Sequence, residues 1–223
     1  MTMGKKYDMK INFSKTKIMI FNRSILYDFL PTLYGENNEQ IEIVEKTQLL
    51  GLVVRSDLKW YDNTEMMCSK TYSRLWSLRQ LKSYGASTED LVDVWVKQGR
   101  SLLEYAVPVW GGSITEKEQD MLEACQKVAL AVILGDGYKS YKQGLHKTGL
   151  NSLKSRRVNI MERFSMKTYK NDKYKNWFQN ASQPTVNTRQ VPRKLKPVRF
   201  NTQALGNSTI SMMTEIINEQ LMR

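Results

Sequence analysis

The chain has 223 residues, of which 41% are hydrophobic and 25% charged, a composition that supports a core and excludes disorder throughout. There are 34 Lys and Arg against 22 Asp and Glu, which leaves a formal net charge of +12. The single histidine, His146, and two isolated cysteines, Cys68 and Cys125, are too few for a Cys/His zinc site within one chain. Both cysteines fall among apolar helix positions and are predicted to be buried thiols.

The sequence contains no segment suited to secretion or to crossing a membrane. Its first residues lack the apolar core of a signal peptide, and the longest apolar run, residues 128–134, is far too short to span a bilayer. We therefore expect an intracellular protein, located in the cytoplasm, the nucleus or both, with no membrane partner.

Residues 12–54 have the pattern of β-strands. Two segments, residues 15–21 with apolar Ile18 and Ile20 and the apolar run 49–54, predict two strands, and alternating isoleucines and acids at residues 41–45 predict a third. An antiparallel sheet of two or three strands fits this pattern but is too small to be stable alone. Gly51, inside the second apolar run, indicates that the backbone closely approaches another group there.

From Asp62 onwards the apolar residues recur with the helical period of 3.6. One helix begins near Asp62, a second near Ser87, and a third at the T-x-x-E capping box of residues 115–118. A fourth helix is predicted over residues 152–170 and a short one over residues 208–222. The fourth is expected to bury Leu153, Ile160, Met161 and Phe164 and to expose Lys154, Arg156, Arg163 and Lys167.

The positive charge is concentrated in residues 138–200, which contain 16 Lys and Arg but only two acids, while the rest of the chain has a net charge of −2. Such asymmetry indicates a polyanion partner, most often a nucleic acid. A solvated basic surface that aids solubility is the alternative. Aromatic residues that could stack on bases are interleaved with the charge; they are Tyr138, Tyr141, Tyr169, Tyr174, Trp177 and Phe178.

The predicted fold class is α+β, mainly α. A small antiparallel β segment is followed by a helical bundle and by a basic, partly disordered tail, in which three prolines exclude a long helix. The predicted boundaries are residues 1–61 for the β segment, 62–172 for the helical domain, 173–207 for a basic linker and 208–223 for a short C-terminal helix.

Several segments, taken in chain order, resemble one protein family. They are KTKIMIF at 15–21, LLGLVV at 49–54, DLKW at 57–60, KTYSRLWSLRQL at 70–81, SLLEYAVPVWGGS at 101–113, LEACQKVALAVILG at 122–135, YKSYKQGLHKTGLNSLKSRRVNIMERF at 138–164 and RFNTQALGNSTISMMTEIINE at 199–219. These segments are similar to the last palm strands, the primer grip, the thumb helices and the closing motif of reverse transcriptases from non-LTR (LINE-type) retrotransposons. Each motif is weak alone, but their common order covers residues 12–218.

The resemblance implies a truncated RNA-directed DNA polymerase. The family's catalytic motif, an aromatic–X–Asp–Asp turn that binds two magnesium ions, is absent, because the sequence contains no Asp-Asp pair. The catalytic carboxylates would lie upstream of Met1, and Asp57 is expected to serve only as a turn residue. No catalytic residue and no cofactor are expected in this fragment, with Mg²⁺ implied only for a complete polymerase, so the fragment should not polymerise alone.

The resemblance also implies where a nucleic acid would bind. It assigns Leu50, Gly51 and Leu52 to the primer grip. It assigns phosphate contacts to Lys70, Arg74, Arg79, Lys154, Arg156, Arg157, Arg163 and Lys167. The expected partners are RNA or an RNA–DNA duplex, held through the backbone with little sequence preference, and the missing palm and fingers of the polymerase. Two other functions remain open: a reused non-catalytic RNA- or DNA-binding module and a helical protein-interaction module.

Overall fold

Helices dominate the structure. The structure, a computed structural model, describes residues 11–21, 32–35, 38–181, 195–199 and 208–221. The chain divides into two compact units, residues 1–63 and 64–223. Over the described ranges the strands are few and short, which confirms the predicted α+β, mainly α class. The greater part of the predicted basic linker lies outside the described residues.

The described residues form four strands and seven α-helices. The strands are β1 (Lys17–Ile18), β2 (Glu42–Ile43), β3 (Lys46–Leu49) and β4 (Leu52–Arg55). The helices are α1 (Tyr61–Ser83), α2 (Thr88–Val94, continued by a π-helical segment, Trp95–Arg100, and a short α-helical segment, Ser101–Leu103), α3 (Val107–Trp110), α4 (Glu116–Leu134), α5 (Tyr141–Thr148), α6 (Leu153–Tyr169) and α7 (Thr209–Leu221). Short 3₁₀ helices cover Phe13–Lys15, Gly135–Gly137 and Asp172–Trp177.

The strands form two separate pairs. β3 and β4 are antiparallel, as predicted, with Lys46 opposite Arg55 and Leu49 opposite Leu52. β1 and β2 pair in parallel, so the prediction of an antiparallel arrangement is wrong for this pair. Parallel pairing joins segments that are distant in sequence, and neither segment carries a local signal for its direction.

A two-residue turn interrupts the strand predicted over residues 49–54. Leu50 and Gly51 have φ angles of 48° and 85°, and positive φ at both central residues is what a type I′ hairpin turn requires. Gly51 adopts this conformation without steric cost, whereas Leu50 is strained by its Cβ. Gly51 therefore serves the turn, and the Leu50 side chain lies at the hairpin tip with 83% of its surface exposed.

The helix starts follow their capping residues. Ser87 caps α2 by accepting a hydrogen bond from the Asp90 N–H at 3.1 Å. Thr115 and Glu118 form the predicted capping box of α4, with the Thr115 N–H donating to Glu118 Oε2 at 2.6 Å. Ser152 caps α6 in the same manner as Ser87. The predicted starts of these three helices are therefore confirmed, and they could be predicted because a cap depends only on neighbouring residues.

Two tryptophans organise the region between α2 and α4. Trp95 is 2% exposed and lies against Gly99, where an added Cβ would come within 2.2 Å of the indole ring. Gly99 therefore permits close packing inside the π-helical segment, a form that helices adopt only in short stretches. Trp110 is fully buried, and its Nε1–H donates to the Tyr105 carbonyl at 2.8 Å.

Helix α6 lies at the centre of the helical unit, packed against α3, α4 and α7. Its buried face consists of Leu153, Arg157, Met161, Ser165 and Thr168. The predicted burial of Phe164 is wrong, because that ring is 36% exposed. On α7, the Asn218 side chain bonds both backbone groups of Leu195, at 2.9 and 3.0 Å, which anchors part of the tail.

Candidate nucleic-acid interface

Four cations lie along one side of α6. Arg156, Arg163, Lys167 and Lys170, the residue that caps the helix, are spaced by 7, 4 and 3 positions. At about 100° per residue these side chains fall within about 60° of one another. We call these four residues the basic stripe. The last three are exposed, and Glu162, the single acid of α6, lies off this side of the helix.

Arg156 is held by a carboxylate. Its Nε and Nη2 donate to the two carboxylate oxygens of Glu104, each at 2.8 Å, in the bidentate geometry that favours arginine. Hydrogen bonding to Glu104 raises the pKa of Arg156, so the guanidinium stays charged and paired. Arg100 lies 3.6 Å from the same carboxylate. Arg156 therefore joins α6 to the end of α2, and the exposed charge of the stripe begins at Arg163.

Arg157 lies in the core. It is 5% exposed and falls one turn from Leu153 on one side and one turn from Met161 on the other. Its Nη2 donates to Gln119 Oε1 at 3.3 Å, while its Nη1 has no hydrogen-bond partner among the described residues. Burial lowers the pKa of Arg157, and the charge of Glu123 opposes that shift. The structure thus places Arg157 inside the helical unit and away from the surface where a phosphate contact was expected.

Replacement of Arg157 by methionine should leave the protein equally stable or up to about 1 kcal/mol more stable to unfolding. A buried charge with incomplete hydrogen bonding costs more in lost hydration than it regains, and methionine has a similar length. Urea unfolding measures the change, and affinity for an RNA–DNA duplex should stay unchanged. A loss above about 2 kcal/mol would show that the bond to Gln119 and the attraction to Glu123 outweigh the cost.

The remaining predicted cations are exposed but do not form one surface. On α1, Lys70 and Arg74 lie about 40° apart, whereas Arg79 lies about 140° from Arg74. On α6, Lys154 is on the side opposite Arg163, about 180° away. The structure therefore brings Lys70 together with Arg74, and Arg163 together with Lys167, while Arg79 and Lys154 each face elsewhere.

The predicted grip residues lie in the β3–β4 hairpin of the first unit. Leu50 and Gly51 form its turn, whereas Leu52 is 6% exposed and belongs to the buried side of β4. Their positions thus differ: Leu50 projects from the tip, and Leu52 packs inward.

Asp57 follows this hairpin and has structural partners. It accepts hydrogen bonds from Arg55 Nε at 2.9 Å and from the Lys59 N–H at 3.1 Å. The bond from Arg55 holds the pKa of Asp57 below its usual range. Arg55 also pairs with Asp62 at 2.9 Å. Over the described ranges, no group of three or more His, Cys, Asp or Glu side chains is placed to hold a metal ion.

The two cysteines, Cys68 and Cys125, are buried free thiols, as predicted. A hydrogen bond to Cys125, together with burial, raises the pKa of Cys68 well above its ordinary value. Cys68 also lines a shallow cleft of about 620 Å³ with Tyr72 and Met121. The thiols therefore fill space between α1 and α4.

Of the six aromatic residues named from the sequence for base stacking, Trp177 is the exposed one, at 47%, and the other five are half-buried. Tyr141 is held by Glu123 and by Gln126 Nε2, the latter at 2.9 Å. Tyr169 packs edge-on against Phe178 with ring centroids 6.0 Å apart. Tyr174 packs against Trp177 at 4.8 Å.

Two residues of this region were missed from the sequence. The sequence predicts that the helix ends at Lys170 and assigns that residue no phosphate contact, although its 3-residue spacing from Lys167 places it on the same side. Glu104 is the partner of Arg156 but lies 52 positions earlier in the chain, and no local pattern connects them. Lys170 could have been found by extending the helical phase by one residue, while Glu104 required the fold.

Comparison of the chain with protein-family models, with curated proteins and with solved structures found no match. Throughout the part of the chain that the structure describes, every helix is too short or too polar to cross a bilayer.

Proposed function

We propose that this chain is the C-terminal palm and thumb part of a non-LTR retrotransposon reverse transcriptase, and that it holds an RNA or RNA–DNA duplex through the nucleic-acid backbone. The observation that carries the proposal is the exposed part of the basic stripe, Arg163, Lys167 and Lys170, within a region whose net charge is +14. Over these eight residues the helix rises by about 10 Å. A row of cations on a rigid helix suits contact with successive phosphates of one strand.

The order of sequence motifs supports the same proposal, since the segments that resemble primer grip and thumb occur in the family's order. Phosphate contacts read charge and duplex shape, so binding should depend steeply on salt and little on base sequence. The proposal assigns no catalytic residue and no cofactor to this chain. In a complete polymerase, the carboxylates that bind Mg²⁺ would come from another segment, together with the palm and fingers.

Neutralisation of the exposed stripe tests this function. In the variant Arg163→Gln, Lys167→Gln, Lys170→Gln, the slope of log K against log salt for an RNA–DNA hybrid should become shallower by about 3, because each phosphate contact contributes about 0.9. Fluorescence anisotropy between low and physiological salt measures the slope. Affinity at low salt should fall as well.

A charge-matched control removes three cations elsewhere. The variant Lys97→Gln, Lys117→Gln, Lys139→Gln loses the same formal charge from exposed positions off the stripe, and its slope should change much less. Equal slopes for the two triple variants would show that only net charge matters. Absence of hybrid binding by the unaltered chain at low salt would overturn the proposal and favour a protein-interaction module.

A further inference from the structure

A base-stacking position lies at the end of the basic stripe. We propose that Trp177 stacks on an unpaired base of a single-stranded RNA or DNA segment that continues from the bound duplex. The inference rests on the proposed function, since the stripe holds the duplex next to this position. It assigns a class of ligand, unpaired nucleotides, to a residue that the duplex contacts do not use.

The backbone places Trp177 directly after the stripe. The 3₁₀ helix Asp172–Trp177 begins two residues beyond Lys170, and its capping residue, Asn171, accepts a hydrogen bond from the Lys173 N–H at 3.0 Å. In a 3₁₀ helix, side chains three positions apart lie above one another. Tyr174 and Trp177 have this spacing, and their ring centroids are 4.8 Å apart. Tyr174 therefore supports one part of the indole.

Contacts on both sides fix this segment to the helical unit. Phe178 packs on Tyr169, the last residue of α6, with ring centroids 6.0 Å apart. The Lys196 N–H donates to the Gln179 carbonyl at 2.7 Å, so residues 195–199 run beside the segment. Trp177 is nevertheless 47% exposed. An indole that is held in place and still half open has little conformational entropy to lose on stacking.

The charges around Trp177 favour a polyanion. Lys170 precedes the segment, Lys173 lies within it and Lys196 is bonded through its backbone to Gln179; all three are exposed, and the acid in the segment, Asp172, is already paired with Lys175. Lys173 Nζ lies 5.9 Å from the centroid of the ring of Tyr174, the residue that supports the indole. A negatively charged strand is thus attracted to a place where an indole is half exposed. This combination is typical of proteins that bind single strands.

The occupant should be unpaired and not duplex. Away from the ends of a duplex, both faces of each base are covered by neighbouring bases, so a side chain on the surface cannot stack on them. Phosphate contacts along the stripe are sufficient to bind the duplex. An indole gains stacking energy from a base only where that base is unpaired and its face is accessible. Trp177 should therefore distinguish a duplex with a single-stranded overhang from a blunt duplex.

The test compares a blunt RNA–DNA hybrid with the same hybrid carrying a six-nucleotide overhang on either strand. The unaltered chain should bind one overhang probe more tightly than the blunt probe. Trp177→Ala should lose about tenfold in affinity for that overhang probe, the usual effect of one stacking residue, with no change for the blunt hybrid. Trp177→Phe should restore most of the loss, and the salt slope should stay the same because no phosphate contact is removed.

Trp76→Ala is the matched control, since Trp76 is 64% exposed on α1, and it should leave both affinities unchanged. Equal losses for blunt and overhang probes in Trp177→Ala, or no gain from either overhang in the unaltered chain, would overturn the stacking assignment while the stripe variant still tests the proposed function. If the unaltered chain binds neither probe at low salt, both proposals fail. Circular dichroism verifies that each variant is folded.

Discussion

Replacement of Trp110 by alanine should lower the free energy of unfolding by about 4 kcal/mol, the range observed when a buried tryptophan is truncated. Trp110 has no exposed surface and lies in α3, which packs against α6 and α7. The alanine variant loses the whole indole and leaves a cavity between these helices. It also removes the hydrogen bond that the indole donates to the Tyr105 carbonyl. Urea unfolding followed by circular dichroism measures the change.

A graded set of variants separates packing from hydrogen bonding. Trp110→Phe keeps most of the apolar volume but not the bond to Tyr105, and should cost about 1–2 kcal/mol. Trp76→Ala, which truncates an indole that is 64% exposed, should cost less than about 1 kcal/mol. The burial of Trp110 indicates that α3 contributes to the cooperative core. If Trp110→Ala costs no more than Trp76→Ala, that contribution is absent.

Local features of the fold were predictable from the sequence. The caps at Ser87, Thr115 and Ser152 lie where Ser or Thr precedes an apolar helical pattern, because the cap bonds join residues three positions apart. The same holds for the buried faces of α1 and α4, which follow the 3.6-residue period. Such features need no knowledge of distant contacts.

Features that depend on distant residues were not predictable. Periodicity places Arg157 four residues from both Leu153 and Met161, on the side of α6 that is buried. The strong preference of arginine for solvent favours the opposite prediction, and the packing that overrides it comes from distant helices. The hairpin turn at Leu50 and Gly51 was missed for another reason: a Leu-Gly pair lacks the Asn or Asp that usually marks a type I′ turn.

The candidate site was predicted in its composition but not in its arrangement. Counting charges located the basic region, and helical phase groups Arg163 with Lys167. The pairing of Arg156 with Glu104 depends on how α6 packs on the end of α2. As a result, fewer cations are available to a nucleic acid than the sequence indicated. On α6 the exposed cations that share one side are Arg163, Lys167 and Lys170.

Glu123 on α4 forms hydrogen bonds with the first residues of both α5 and α6. Its carboxylate, on α4, accepts hydrogen bonds from the N–H groups of Leu153 and Lys154 at 3.3 and 2.7 Å, at the start of α6. It also accepts the hydroxyl hydrogen bond of Tyr141 at the start of α5. Burial, and then the bond to Glu123, raise the pKa of Tyr141. A carboxylate at a helix N-terminus is also favoured by the helix dipole.

Replacement of Glu123 by alanine should therefore destabilise the protein by about 3 kcal/mol, because it leaves two N–H groups and a part-buried hydroxyl without this acceptor and removes the negative charge that compensates the buried Arg157 guanidinium. Glu116→Ala, an exposed acid on the same helix, should cost less than about 1 kcal/mol. Adding Arg157→Met to Glu123→Ala should recover part of the loss, since the uncompensated charge is then gone. Urea unfolding of the unaltered chain, Glu123→Ala, Arg157→Met and the double variant tests this coupling. Strictly additive changes in the free energy of unfolding would show that Glu123 acts on the helix starts alone.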